Sequence, residues 1–300
     1  MKTMEKRRPV VFGEVLFDQF PDGSVVLGGA PFNVAWHLQA FGAAPLLISR
    51  VGDDALGRRI RSAMQEWGMD LAGLQLDSAH PTGRVQVEIE EGEPRFAILP
   101  DQAYDFIDSA MLPPVDSNAF LYHGSLALRR PESRTAFQRL RTDTAAPVFM
   151  DVNLRPPWWQ REMVLAHLGN ADWAKLNEEE LRSLASAIAP GDLVSQAAAL
   201  QNSCELSLLI VTRGAHGALA RTAAGSVHEV SPGGAVQVVD AVGAGDAFAS
   251  VMLLGLLDEW PLDIALERAQ RFASAVVGIR GATPTDKGFY TPFVETWSNG

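Results

Sequence analysis

Cysteine is almost missing from this chain. Cys204 is the only one in 300 residues, which excludes an intramolecular disulfide and a multi-cysteine metal site. None of the six histidines stands at a metal-ligand spacing from another. Positive charge is scarce as well: 25 Lys and Arg face 36 Asp and Glu, a formal net charge of -11. That balance argues against nucleic acid or an anionic membrane as the main partner. It leaves an anionic small molecule open, because backbone amides and one or two local cations suffice to hold a phosphate. Long apolar runs are absent. The most apolar stretch, 251–257, is short and contains Gly255. The basic residues at 1–8 lead only to Val10, Val11 and Phe12 before Gly13 and Glu14 intervene, which is not a signal-peptide pattern. The expectation is a soluble, cytoplasmic protein.

What is present is enough apolar material for a sizeable core, 47% hydrophobic against 20% charged. Short β-branched or aromatic runs at 10–17, 45–51, 119–123, 148–152, 174–176 and 206–211 read as strands, mostly apolar on consecutive positions. Strands buried on both faces read this way. Helical patterns fall between them, at 31–41, 55–67, 133–141, 158–168, 178–187 and 193–204. Two more, 247–257 and 262–278, close the chain. Such alternation predicts an α/β fold with a mostly parallel sheet covered on both faces. One segment departs from it. Residues 84–90 alternate strictly, Glu91-Gly92-Glu93 supplies a turn, and 95–99 resumes an extended run: a hairpin with one polar face. With no linker and no repeat, the pattern predicts one domain over 1–300 carrying a small lid.

Residues 236–240 read as a strand that runs into Ala241-Val242-Gly243-Ala244-Gly245-Asp246 and then a helix. A strand, a glycine turn and a helix aim free backbone N–H groups at one spot, with the helix dipole behind them. Gly243 and Gly245 match the start of a dinucleotide fingerprint, but Phe248 occupies its third glycine position. No G-x-x-x-x-G-K-[ST] loop occurs. Asp246 reads locally as a helix N-cap. Beside a phosphate cradle it reads equally as a base for an attacking hydroxyl.

Asp240-Ala241-Val242-Gly243-Ala244-Gly245-Asp246 resembles the D-T-x-G-A-G-D signature of the ribokinase-like (PfkB) carbohydrate kinases, with Ala241 where threonine is usual. The resemblance spans about residues 10 to 284. It implies a three-layer sandwich with a small β lid formed by about 14–28 and 81–101, and transfer of the ATP γ-phosphoryl to a sugar hydroxyl. Asp246 would be the base, and Gly243, Ala244 and Gly245 would supply the anion hole. Gly28, Gly29 and Asn33 match the family's sugar-lining G-G-x-x-x-N, although alone they read as a helix start. Asp18 matches an acidic residue that binds sugar hydroxyls, and otherwise reads as a surface acid before a turn. Val51-Gly52-Asp53-Asp54-Ala55-Leu56-Gly57 matches a further signature, with Asp54 suited to capping the helix that follows.

Asp151-Val152-Asn153-Leu154-Arg155 is similar to the D-x-N-x-R of fructokinase-type members, which makes Arg155 the candidate cation near the transferred phosphate. Asn177 and Glu180 match N-x-x-E, which implies ATP contact and Mg²⁺ held through water; the same pair makes a capping box. Thr212, Gly214 and Gly217 match a nucleotide loop that reads equally as a glycine hairpin. Ser274 falls where the family lines the adenine pocket. Asp240 and the 280–284 stretch fall where many members bind a monovalent cation such as K⁺. Fructose is the leading substrate, with ribose, 2-keto-3-deoxygluconate and nucleosides open. A homodimer paired through the lid is expected, since the lid's strand edges would otherwise be bare. A non-catalytic sugar-binding regulator is disfavoured by the intact 243–246 segment, and a nicotinamide oxidoreductase by Phe248.

Overall fold

The computed structural model describes residues 7–90, 93–186, 188–233 and 238–298. Its strands are β1 Arg8–Phe12, β2 Leu16–Gln19, β3 Val25–Gly28, β4 Leu46–Gly52, β5 Leu74–Asp77, β6 Gly83–Glu90, β7 Glu93–Ile98, β8 Ala119–Gly124, β9 Val148–Asp151, β10 Trp173–Asn177, β11 Leu208–Thr212, β12 Ala218–Thr222 and β13 Val227–Val230. The helices are α1 Ala30–Ala40, α2 Ala55–Trp67, α3 Pro131–Thr144, α4 Arg161–Leu168, α5 Glu178–Ala185, α6 Leu193–Ser203, α7 Ala244–Leu257, α8 Leu262–Val277 and α9 Thr291–Ser298.

Nine strands form one sheet in the order β13-β12-β11-β10-β9-β8-β1-β4-β5. Those from β5 to β11 are parallel, and β12 and β13 add an antiparallel edge. Side chains alternate between the two faces of a strand, and here both faces are covered. Val11, Leu47, Phe120, Tyr122, Leu208 and Ile210 face a core built with α1, α2, α7, α8 and α9. Their neighbours Val10, Phe12, Ile48, Leu121, Leu209 and Val211 face a second core built with α3, α4, α5 and α6. The result is three layers. In the first core Trp36 and Trp67 stack with ring centroids 4.5 Å apart.

A second sheet of four strands, β3-β2-β6-β7, stands apart from the first. Its hairpin β6–β7 is antiparallel, while β2 joins β6 in parallel register, Asp18 opposite Val85. A small apolar cluster of Leu16, Val85, Tyr104, Leu126 and Ala127 lies beneath it.

Several expectations are corrected. The run 10–17 is two strands in two sheets. Gly13 packs so tightly on Pro31 that a Cβ there would lie 2.4 Å from its Cγ, and the chain leaves the main sheet at that point. Helix α1 is not the amphipathic helix that a stripe of Val34, Leu38 and Phe41 suggests in the sequence: Pro31 through Leu38 are all buried, because it is sandwiched between sheet and helices. The lysine inside the 174–176 strand, Lys175, is buried rather than turned to solvent. A third closing helix, α9, follows α8. Residues 236 and 237 of the expected 236–240 strand lie outside the described residues, as does the hairpin turn at 91 and 92. Val238, Val239 and Asp240 are not in a strand, and Val238 and Val239 are exposed. The expected cap at Asp54 forms, its side chain accepting from the Gly57 amide and from both the amide and hydroxyl of Thr82.

Candidate active site

Because β1, β8, β9, β10 and β11 run in parallel, their C-terminal ends share one edge of the sheet, where α/β proteins place ligands. That edge carries Glu14 just after β1, Asp151 at the end of β9, Asn177 at the end of β10 and Thr212 at the end of β11.

The amino end of α7 points at the same region. Its N-cap is Gly243, at φ 81°, and Asp246 is the third helical residue. The simple reading of Asp246 as the N-cap is thereby excluded. A Cβ on Gly243 would stand 2.3 Å from Cβ of Ala282, so the turn and the 280–284 stretch are pressed together. The first-turn amides of such a helix lack intrahelical acceptors and suit an anion. Asp246 is engaged instead by Asn33, whose Nδ2 donates to Oδ2 at 2.8 Å. Burial pushes the Asp246 carboxyl up to about 6, against the opposing pull of the Asn33 hydrogen bond; the Asp151 charge adds to the rise, while Lys175 and Arg155 oppose it. A carboxylate of that basicity suits a general base, which works best with a pKa near the operating pH.

A buried ion pair lies beneath the glycine turn. Lys175 Nζ donates to both oxygens of Asp151, at 2.8 and 2.9 Å. Tyr122 donates its hydroxyl to Oδ2 of Asp151 at 3.2 Å. Burial would lower the Lys175 pKa, but the Asp151 charge and hydrogen bonds, with Glu180 and Asp246 behind them, hold it above its ordinary value. A Cβ placed on Gly245 would be 3.4 Å from Nζ. The sequence offered one signal for this cation, a lysine inside an otherwise apolar strand.

On the other side, a Cβ on Gly28 would approach Oδ2 of Asp18 at 3.7 Å and Oδ1 of Asn33 at 3.9 Å. Asp18, Gly28, Asn33 and Asp246 therefore converge, and Gly29 abuts the Glu14 carbonyl behind them. Burial lifts Asp18 to about 6, with Arg155 opposing. Glu14 is pushed further by burial, to about 7, against its own backbone hydrogen bond and the charge of Arg155. Glu14, Lys175 and Tyr122 are members of this region that no motif pointed to as site residues.

The remaining candidates are more dispersed. Arg155 is exposed and its Nη1 donates to the Leu154 carbonyl, yet its charge is felt by Glu14, Asp18 and Asp246. Asn177 and Thr212 sit side by side in the β10–β11 register. Gly214 opens a short 3-10 turn and Gly217 closes it, so the segment is a hairpin loop at the sheet edge. Ser274 is half-buried on α8 and accepts from Gln270. Asp240 accepts from the amides of Val242 and Gly281, tying the glycine turn to the 280–284 stretch.

Asn177 and Glu180 form the capping box of α5, and both Glu180 oxygens are used, one by the Asn177 amide and one by the Leu154 amide. Each oxygen keeps a further acceptor position. Among the described residues no cluster of three His, Cys, Asp or Glu could hold an ion alone. The donor set fits Mg²⁺, which keeps most of its waters and leans on one or two carboxylates and substrate phosphates.

Known proteins resemble the chain along nearly all its length. The family model for pfkB family carbohydrate kinases matches residues 7–287. The fructokinase of Escherichia coli is 34% identical over 292 residues, covering 91% of this chain and 94% of that protein. Among solved structures, fructokinase from Xylella fastidiosa with bound ATP has a TM-score of 0.84 at 26% identity, covering 98% of this chain and 99% of that one. A double mutant of fructokinase from Vibrio cholerae, bound to fructose, ADP and potassium ion, has a TM-score of 0.81 at 27% identity, covering 95% and 98%. The three-layer arrangement is that of these ribokinase-fold sugar kinases.

Proposed function

This chain belongs to the pfkB family of carbohydrate kinases, phosphotransferases that act on a sugar hydroxyl, and from that premise we propose that fructose is the acceptor and Asp246 the group that deprotonates it. The observation that carries the site assignment is the Asn33–Asp246 hydrogen bond, which joins the glycine-rich sugar segment to the anion-binding turn. The γ-phosphoryl lies over the turn at 243–246. Asp246 takes the proton of the sugar hydroxyl as its oxygen attacks phosphorus in line; the bond to the β–γ bridging oxygen breaks and ADP leaves. Charge gathering on the phosphoryl oxygens meets the amides of Gly243, Ala244 and Gly245, with Lys175 beneath and Arg155 at the rim.

ATP rests along the β10–β11 edge, with Asn177, Thr212, Gly214 and Gly217 beside it and Ser274 on the adenine side. Glu180 would hold Mg²⁺ through water, and the ion would neutralise charge on the nucleotide phosphates. Asp240 and the 280–284 stretch would hold K⁺; the support is the potassium ion in the Vibrio cholerae structure. The small sheet acts as the lid over the sugar, with its bare edges pairing two subunits into a dimer. No described helix is long and apolar enough to cross a membrane, in keeping with a cytoplasmic enzyme.

The fructose assignment rests on the fructokinase relatives. Ribose, 2-keto-3-deoxygluconate and nucleosides are the competing acceptors, since related pockets differ by few hydroxyl contacts. An ATP-coupled assay over a panel of sugars and nucleosides tests both parts. Fructose is expected to give the highest kcat/KM. Asp246→Asn is expected to bind ATP and fructose by calorimetry while losing turnover by about 10³-fold or more. Near-normal turnover in Asp246→Asn removes the base assignment, and a better substrate elsewhere on the panel removes fructose.

A further inference from the structure

Glu14 is 3% exposed and follows directly on β1, between the main sheet and the small one. Its Oε2 is buried and has no hydrogen-bond partner. The groups that act on it electrostatically are Arg155, Asp246 and Arg129. Arg129 is in a matching condition. Its side chain is 4% exposed, and most of its guanidinium is committed. Nε and Nη2 donate to the two oxygens of Asp105 at 2.6 and 2.7 Å. Nη2 also reaches the Leu99 carbonyl at 2.8 Å, and the guanidinium lies 4.4 Å over the Trp158 ring. Nη1 alone is left, buried and without a partner.

A buried donor and a buried acceptor left unmade each cost roughly 1–3 kcal/mol, and native structures rarely keep them without a reason. A ligand hydroxyl answers both at once, because it donates one hydrogen and accepts with its lone pairs. The same neighbourhood holds a third open acceptor: Oδ1 of Asn33 is buried and unpartnered while Nδ2 is occupied by Asp246. A polyol is the class of ligand that presents several hydroxyls to such a set.

We infer that Glu14 is a direct binding residue for the acceptor sugar, taking one non-reacting hydroxyl between its carboxyl and Nη1 of Arg129. This inference rests on the sugar-kinase reading of the same site and adds a specificity-determining contact to it. The competing role for Glu14 is to offset the charge of Arg155 without touching the ligand, and the two roles part in one measurement.

Wild-type turnover on fructose is read first. If fructose is not phosphorylated, the fructose assignment falls and the same series is run on the panel sugar that is turned over. The kcat/KM of wild type is then measured on analogues lacking one non-reacting hydroxyl each. One analogue is expected to lose roughly 10- to 100-fold against the parent sugar, the range for a hydrogen bond to a charged group. In Glu14→Ala that ratio should collapse toward one, with the ratios for the other analogues unchanged. Glu14→Gln, which keeps the shape of the side chain, is the variant to read if the alanine form fails to fold, and a reduced ratio at the same hydroxyl is expected. Ratios that stay as in wild type for every analogue, even alongside a fall in kcat, overturn direct binding.

Discussion

Asn33 and Asp246 are 213 residues apart in sequence and share a hydrogen bond of 2.8 Å. Asn33, proposed to line the sugar pocket, thus also orients the Asp246 carboxyl and lowers its pKa, against the rise that burial imposes.

The pH profile should report this. The base acts deprotonated, so kcat/KM is expected to rise with pH through about 6 and level off above it. Removing the stabilising donor in Asn33→Ala should move that limb to higher pH and lower the plateau. Asp18 and Glu14 titrate in the same window, so the displacement of the limb, rather than its position, identifies Asp246. A limb that stays in place in Asn33→Ala contradicts the coupling.

Glu14 carries a stability consequence with a definite sign. Its carboxyl is raised from 4.5 to about 7 in the folded protein, so the native state binds the proton more tightly than the unfolded chain. Stability is therefore lost as pH rises from about 4.5 to 7 and stays lower above. Glu14→Gln is free of that burden and should be more stable than wild type at pH 8, by on the order of 3 kcal/mol at most. The gain should vanish at pH 4.5 in urea unfolding followed at both pH values.

Lys175 and Asp151 are nearly fully buried as a pair. Lys175→Met strands a buried carboxylate and should cost about 3–5 kcal/mol in urea unfolding. Lys175→Met with Asp151→Leu should recover much of that loss in stability. A double variant no more stable than Lys175→Met would show that the pair contributes more than mutual neutralisation.

Gly243→Ala meets Ala282 and must adopt φ 81°. A strained left-handed residue costs of order 1–3 kcal/mol, and the clash should displace the amides from the phosphate. The expected result is a melting-point drop together with a fall of about 10²-fold or more in kcat/KM. Gly42→Ala is the control for the backbone effect alone, since its φ is 77° with no neighbouring atom in the way.

The periodic elements were legible because their signals are local. Helix α2 begins and ends where its cap and periodicity place it, and the β6–β7 hairpin announces itself by alternation. The division of the 10–17 run was not legible, because what breaks it is the packing of Gly13 on Pro31, a contact between separate elements. For the site, the glycine turn and Asp246 could be read from order and spacing. Tyr122 and Arg129 could not, and Lys175 showed only as a lysine inside an apolar strand, since their partners are brought in by the sheet and by packing beneath the small sheet: Asp151 for Tyr122 and Lys175, Asp105 for Arg129. Burial cannot be read residue by residue from a strand whose two faces are both covered.

The small sheet is fastened at its end by two side chains from the main body. Trp158 donates Nε1 to the Ile98 carbonyl at 3.1 Å, and Arg129 donates to the Leu99 carbonyl at 2.8 Å. Asp18 rides on that sheet while Asn33 and Asp246 do not, so a sugar that touches all three spans the joint. Thermodynamic reciprocity then follows. Whatever factor these fasteners contribute to sugar affinity by fixing the joint, bound sugar returns to the fasteners, and loosening Trp158 or Arg129 weakens the grip on a ligand through the joint.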